Sequence, residues 1–65
     1  MEFYVIMLDS KFVCYINKNV EASVYDALDD AMKFSKEEDA SAICKILVER
    51  SGAAFKVRKC TVGIE

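Results

Sequence analysis

Residues 35–52 read SKEEDASAICKILVERSG, the one segment of this 65-residue chain patterned as a long amphipathic helix. Ala40, Ile43, Cys44, Leu47 and Val48 recur at i, i+3, i+4, i+7 and i+8, a single apolar stripe at the helical period. Ile46 borders the stripe, while Ser41, Lys45 and Glu49 fall on the far side. Ser35 and Glu38 have the spacing of a capping box, in which each side chain satisfies an amide that the first turn leaves free. Glu37, Glu38 and Asp39 meet the positive end of the helix dipole and Arg50 its negative end. Gly52 supplies a residue at ease in the left-handed conformation that ends helices.

Outward from the helix, the flanking segments read as strands. Residues 3–8, FYVIML, are apolar throughout and rich in β-formers, as befits a strand covered on both faces. Asp9-Ser10 is a two-residue turn, and residues 11–18, KFVCYINK, return as the second arm of a hairpin. Phe12, Cys14 and Ile16 then point one way, Val13 and Tyr15 the other. Val20, Ala22 and Val24 alternate with Glu21, Ser23 and Tyr25, which allows a short third strand. In residues 26–34, DALDDAMKF, the spacing of Leu28, Ala31 and Met32 fits a helical turn or an irregular lead-in to the main helix. The last strand covers about residues 54–62. There Phe55 and Val57 share one parity while Cys60, Val62 and Ile64 take the other, which predicts a bulge near Arg58-Lys59.

The order β-β-(β)-α-β implies a single α+β domain over residues 1–65: a small antiparallel or mixed sheet with one helix across one face. A sixteen-residue helix spans roughly 24 Å and a six-residue strand roughly 20 Å, so the helix can cover that face end to end. One helix covers one face only. If the first strand is central, either Phe3, Val5 and Met7 or Tyr4, Ile6 and Leu8 point away from it. With neighbours from the second strand they form an apolar patch of the sort used for association. Tyr4, Ile6, Leu8, Val13 and Tyr15 are the first candidates for a partner-binding face.

Hydrophobic residues make up 54% of the chain, which excludes disorder. Cys14, Cys44 and Cys60 are an odd set, and no secretory or membrane-spanning run accompanies them, so the expectation is free thiols in a cytoplasm. The net charge of −2 points to no partner, but its distribution is uneven. Between Glu21 and Asp39, seven acids face Lys33 and Lys36, giving −5. Between Lys45 and Lys59, five bases face Glu49, giving +4. An acidic shoulder containing Asp26, Asp29, Asp30 and Glu37 is the second candidate surface.

Catalytic chemistry finds little purchase. Histidine is absent, removing the commonest general base and metal ligand. The cysteines are isolated from one another, without the close pairs of structural zinc sites. The carboxylates at Asp29-Asp30 and Glu37-Glu38-Asp39 lack the spacing of a calcium loop and suit a helix start. Gly52 and Gly63 are the only glycines, too few for a phosphate-cradling loop. The expectation is a non-enzyme with no metal and no cofactor. Lys56, Arg58 and Lys59, near Tyr4, Tyr15 and Phe55, offer an alternative function: a platform for single-stranded nucleic acid. Charges on an edge strand also guard against aggregation.

Ala31, Phe34, Ser35, Glu38 and Ala40, set in AMKFSKEEDA after a hairpin and before one strand, are similar to the pattern of small bacteriophage accessory and early proteins. The resemblance implies a small protein of the host-cell cytoplasm that acts by stoichiometric binding. Its expected partner is a host defence or replication protein, inhibited in the anti-CRISPR or anti-restriction manner; homodimerisation is expected separately, from the apolar patch on the sheet. No catalytic residue is carried over.

Overall fold

The computed structural model describes residues 2–61 as an α+β fold. Strands β1 (Glu2–Leu8), β2 (Lys11–Ile16) and β3 (Ala22–Tyr25) precede a 3₁₀ turn (Leu28–Asp30), helix α1 (Glu37–Ser51) and strand β4 (Phe55–Thr61). The four strands form one sheet in the order β3-β2-β1-β4, antiparallel at every pairing. Among the described residues, no helix is long and apolar enough to cross a membrane.

The central strand pairs with β4 along its full length, from Glu2 opposite Thr61 to Leu8 opposite Phe55. This unbroken register corrects the bulge expected near Arg58-Lys59. Phe55 and Val57 keep one face and Cys60 simply takes the other; Val62 and Ile64, which suggested the phase change, lie outside the described residues. On the opposite side of β1 the pairing is short. Asp9, left-handed at φ 56°, turns the chain so that Leu8 meets Lys11 and Met7 meets Phe12, and there the β1–β2 ladder stops.

Beyond that point the strands diverge and the segment 31–34 lies between them. Tyr4 and Phe34 form an antiparallel bridge, and the Met32 amide donates to the Val13 carbonyl at 2.9 Å. The segment therefore satisfies backbone groups of both strands, the condition for burying polar chain inside a sheet. It is extended rather than helical, so of the two readings of residues 26–34 only Leu28–Asp30 keeps a helical turn.

Alternation assigns the faces. Ile6, Val13, Cys44 and Leu47 form the core, with Ile16, Val24, Met32, Phe34, Phe55 and Val57 packed around them. These residues define the helix-covered face. Strand β2 keeps both Val13 and Ile16 on it through a register shift between Val13 and Tyr15. That bulge corrects the simple alternation expected for β2, in which Ile16 opposed Val13.

Helix α1 buries Ala40, Cys44 and Leu47, half-buries Ile43 and leaves Val48 37% exposed, a narrower stripe than its periodicity predicts. Its N-cap is Lys36, extended and without a side-chain capping bond, which corrects the Ser35–Glu38 capping box. The Lys36 carbonyl accepts the first helical bond, from the Ala40 amide. At the other end Gly52 is left-handed at φ 75° and its amide donates to the Val48 carbonyl, as its place in the sequence predicts. The β2–β3 loop is built on Asn17. Its Oδ1 accepts from the Asn19 and Glu21 amides, and its Nδ2 donates to Glu21 Oε1.

Candidate functional site

The helix-free face of the sheet carries the two most exposed aromatic side chains among the described residues. Phe3, Val5 and Met7 of β1 point there, since their neighbours Tyr4 and Ile6 face the helix. Cross-strand pairing adds Phe12 beside Met7, Tyr25 opposite Phe12, and Tyr15 opposite Ser23. From β4 the same face receives Cys60, Arg58 and Lys56, the partners of Phe3, Val5 and Met7.

This face divides into two halves. In one, the chain covers itself. Val5 is fully buried despite pointing away from the helix, and Ala31, which alternation puts on the same side, is 7% exposed. Lys33, two residues on, holds its ammonium 6.0 Å from the centre of the Phe3 ring. The same ammonium donates to the carbonyls of Leu28, Asp29 and Ala31 at 3.2–3.4 Å. Lys33 thus ties the 3₁₀ turn down over the sheet. Between them lies an open, mainly apolar groove of about 540 Å³, lined by Phe3, Leu28 and Phe34 with Glu2, Asp29, Lys33 and Ser35 at its margin.

The other half is open. Tyr15 and Tyr25, on adjacent strands, are 60% and 56% exposed, the most exposed of the large hydrophobic side chains among the described residues. Phe12 and Met7 are half-buried beside them. Arg58 reaches along Met7, its Nη1 lying 3.9 Å from Sδ, and Lys56 is exposed on the next position of that face.

The residues expected to share a contact face are not together. Ile6 and Val13 are fully buried under the helix and unavailable to any partner. Tyr4 and Leu8 are half-buried on that covered side, and only Tyr15 reaches solvent on the helix-free one. The helix selected the even positions of β1, where the periodicity of the strand alone offered either set. The basic triplet also separates: Lys56 and Arg58 are on the helix-free face, whereas Lys59 pairs with Tyr4 on the other. There Lys59 makes a solvent-exposed ion pair with Glu2 at 3.3 Å, worth little in stability. Of the acidic shoulder, Asp29 lines the groove, and Asp26, Asp30 and Glu37 are exposed nearby in the chain.

Tyr25 and Leu28 are absent from the sequence candidates, whereas Phe3 belongs to the alternative outward set of β1 and Phe12 is its neighbour on the second strand. Tyr25 had a usable signal, its alternation with Val24 at the end of β3. Leu28 had none, because its position depends on where residues 31–34 cross the sheet.

The thiols are dispersed. Cys44 is buried in the core, where loss of solvation pushes its thiol up from the ordinary value. Cys14 donates to the Ser23 carbonyl at 3.3 Å, and Cys60 is half-buried on β4. Among the described residues, no three cysteine or carboxylate side chains gather in a group able to hold a metal ion. Comparison of the chain with protein-family models, curated proteins and solved structures finds no match.

Proposed function

We propose that this chain is a non-enzymatic protein-binding module whose contact surface is the open half of the helix-free face. The observation that carries this reading is the pair Tyr15 and Tyr25, more than half exposed on neighbouring strands beside Phe12 and Met7. Tyrosine offers a large apolar area with a polar tip and few rotamers to freeze, which is why it is enriched in binding surfaces. Tyr25 has Phe12 as its cross-strand partner, but more than half of each tyrosine ring still faces water.

The same face suits self-association, and a homodimer is part of the proposal. The finer reading, a stoichiometric inhibitor of a host defence or replication protein, draws on the likeness to small phage proteins and makes a bacterial protein the partner to seek. The test is quantitative capture from bacterial lysate with the wild-type chain and a Tyr15→Ser/Tyr25→Ser variant of unchanged thermal stability. A protein held in stoichiometric amount by the wild type and lost with the variant is the expected result. Equal retention by both, or none by either, contradicts the reading. Sedimentation equilibrium tests the dimer: a stable monomer at high micromolar concentration removes that component.

A second reading has one observation in its favour. Lys56 and Arg58 share the face with the two tyrosines, the pairing of bases and rings that single-stranded nucleic acid uses. It predicts salt-dependent oligonucleotide binding that is abolished by Lys56→Ala/Arg58→Ala and untouched by Lys59→Ala.

A further inference from the structure

The groove between Phe3, Leu28 and Phe34 is separate from the tyrosine surface and differs from it in charge. Its floor is apolar, and the one cation at its margin, Lys33, already gives its ammonium to three backbone carbonyls. Its two lining carboxylates are Asp29 and Glu2, the latter paired with Lys59, and the chain running to and from the groove is acidic. From Asp26 to Asp39 there are six acids (Asp26, Asp29, Asp30, Glu37, Glu38, Asp39) against Lys33 and Lys36, a local balance of −4. All six carboxylates belong to exposed residues, and among the described residues none of them makes a salt bridge. A groove of about 540 Å³ is of a size that accepts a bulky apolar side chain.

We infer that this groove receives an apolar anchor residue from a positively charged protein segment; the inference rests on the protein-binding reading above and names a partner chemistry for it. An apolar anchor in a pocket supplies most of the affinity in such contacts, and rim charges supply steering and selection. Nucleic acid and anionic lipid are repelled by the same carboxylates. A neutral small molecule would make no use of them. A basic segment with one large aliphatic or aromatic residue satisfies both parts of the site.

The test is a titration of ¹⁵N-labelled protein with a short lysine/arginine peptide carrying one central leucine, followed by amide resonances. The expected result is saturable binding, with shifts concentrated at Phe3, Leu28, Asp29 and Phe34 and affinity falling as salt is added. Replacing the peptide leucine by serine should weaken binding about tenfold, as should Leu28→Ser in the protein. Leu28 is 37% exposed, so that variant keeps its fold, and Leu28→Met should restore binding. Equal affinity for the serine peptide, or for a peptide with glutamates in place of the bases, overturns the inference, as does absence of binding. Shifts centred on Tyr15 and Tyr25 also overturn it, while leaving the protein-binding reading standing.

Discussion

Tyr4 and Phe34 exchange both of their backbone hydrogen bonds, each 2.8 Å long, in the place where a closed hairpin would pair Tyr4 with Tyr15. Together with the bond from Met32 to Val13 this makes residues 31–34 part of the sheet. Phe34 also packs against the core. Phe34→Ala should therefore lower stability by about 2–3 kcal/mol, toward the smaller end for a phenylalanine truncation because the side chain is only half-buried. Chemical denaturation measures it. A change under about 0.5 kcal/mol would place Phe34 on the surface.

The helix offers a sharper contrast. Leu47 is 1% exposed and Val48, its neighbour on the predicted stripe, is 37% exposed. Leu47→Ala should cost about 3 kcal/mol and Val48→Ala no more than about 1 kcal/mol. Equal losses at the two positions would mean that the helix is rotated from the orientation described.

Helix α1 begins without a side-chain cap, because its N-cap is Lys36 and not Ser35. Lys36→Asp adds an acceptor for the free amides and a negative charge at the dipole's positive end. It should stabilise the protein by about 1 kcal/mol. Ser35→Ala should change stability by less than about 0.5 kcal/mol. The reverse pattern, read in thermal melts, would restore Ser35 as the cap.

Burial raises the Cys44 thiol above its ordinary pKa. Its folded-state pKa thus exceeds the unfolded one, so the folded protein holds a proton that the unfolded chain releases first. The associated stability is whole below the ordinary thiol pKa and is lost as pH rises through the higher folded value. Cys44→Ala should flatten that alkaline decline, measured by denaturation at a series of pH values. An unchanged slope would show that Cys44 is not the group responsible.

Much of this architecture can be read from the chain itself. The apolar stripe ending in Gly52, the turn after Leu8 and the alternation of Ala22–Tyr25 are local patterns that the fold keeps. Val20, by contrast, turns left-handed at φ 60° outside the strand, and the equally local Ser35–Glu38 capping box does not form. The passage of residues 31–34 between β1 and β2 is not local. Leu28, Ala31 and Met32 are spaced for a helical turn, and it is the splaying of two remote strands that draws residues 31–34 out straight. The candidate site followed suit. The choice between the odd and even sides of β1 is made by the helix, and the β2 bulge then carries Ile16 to the core and leaves Tyr15 in solvent. Ile6 and Val13, equally apolar in sequence, went inside.

The groove at Phe3 depends on the chain crossing its own sheet, with residues 31–34 bonded to both β1 and β2. The direct measurement is the amide-to-amide nuclear Overhauser spectrum of the free protein. A contact between the Tyr4 and Phe34 amides, with none between Tyr4 and Tyr15, is the predicted result. A Tyr4–Tyr15 contact and no Tyr4–Phe34 contact would close the hairpin, expel residues 31–34 from the sheet and remove the groove.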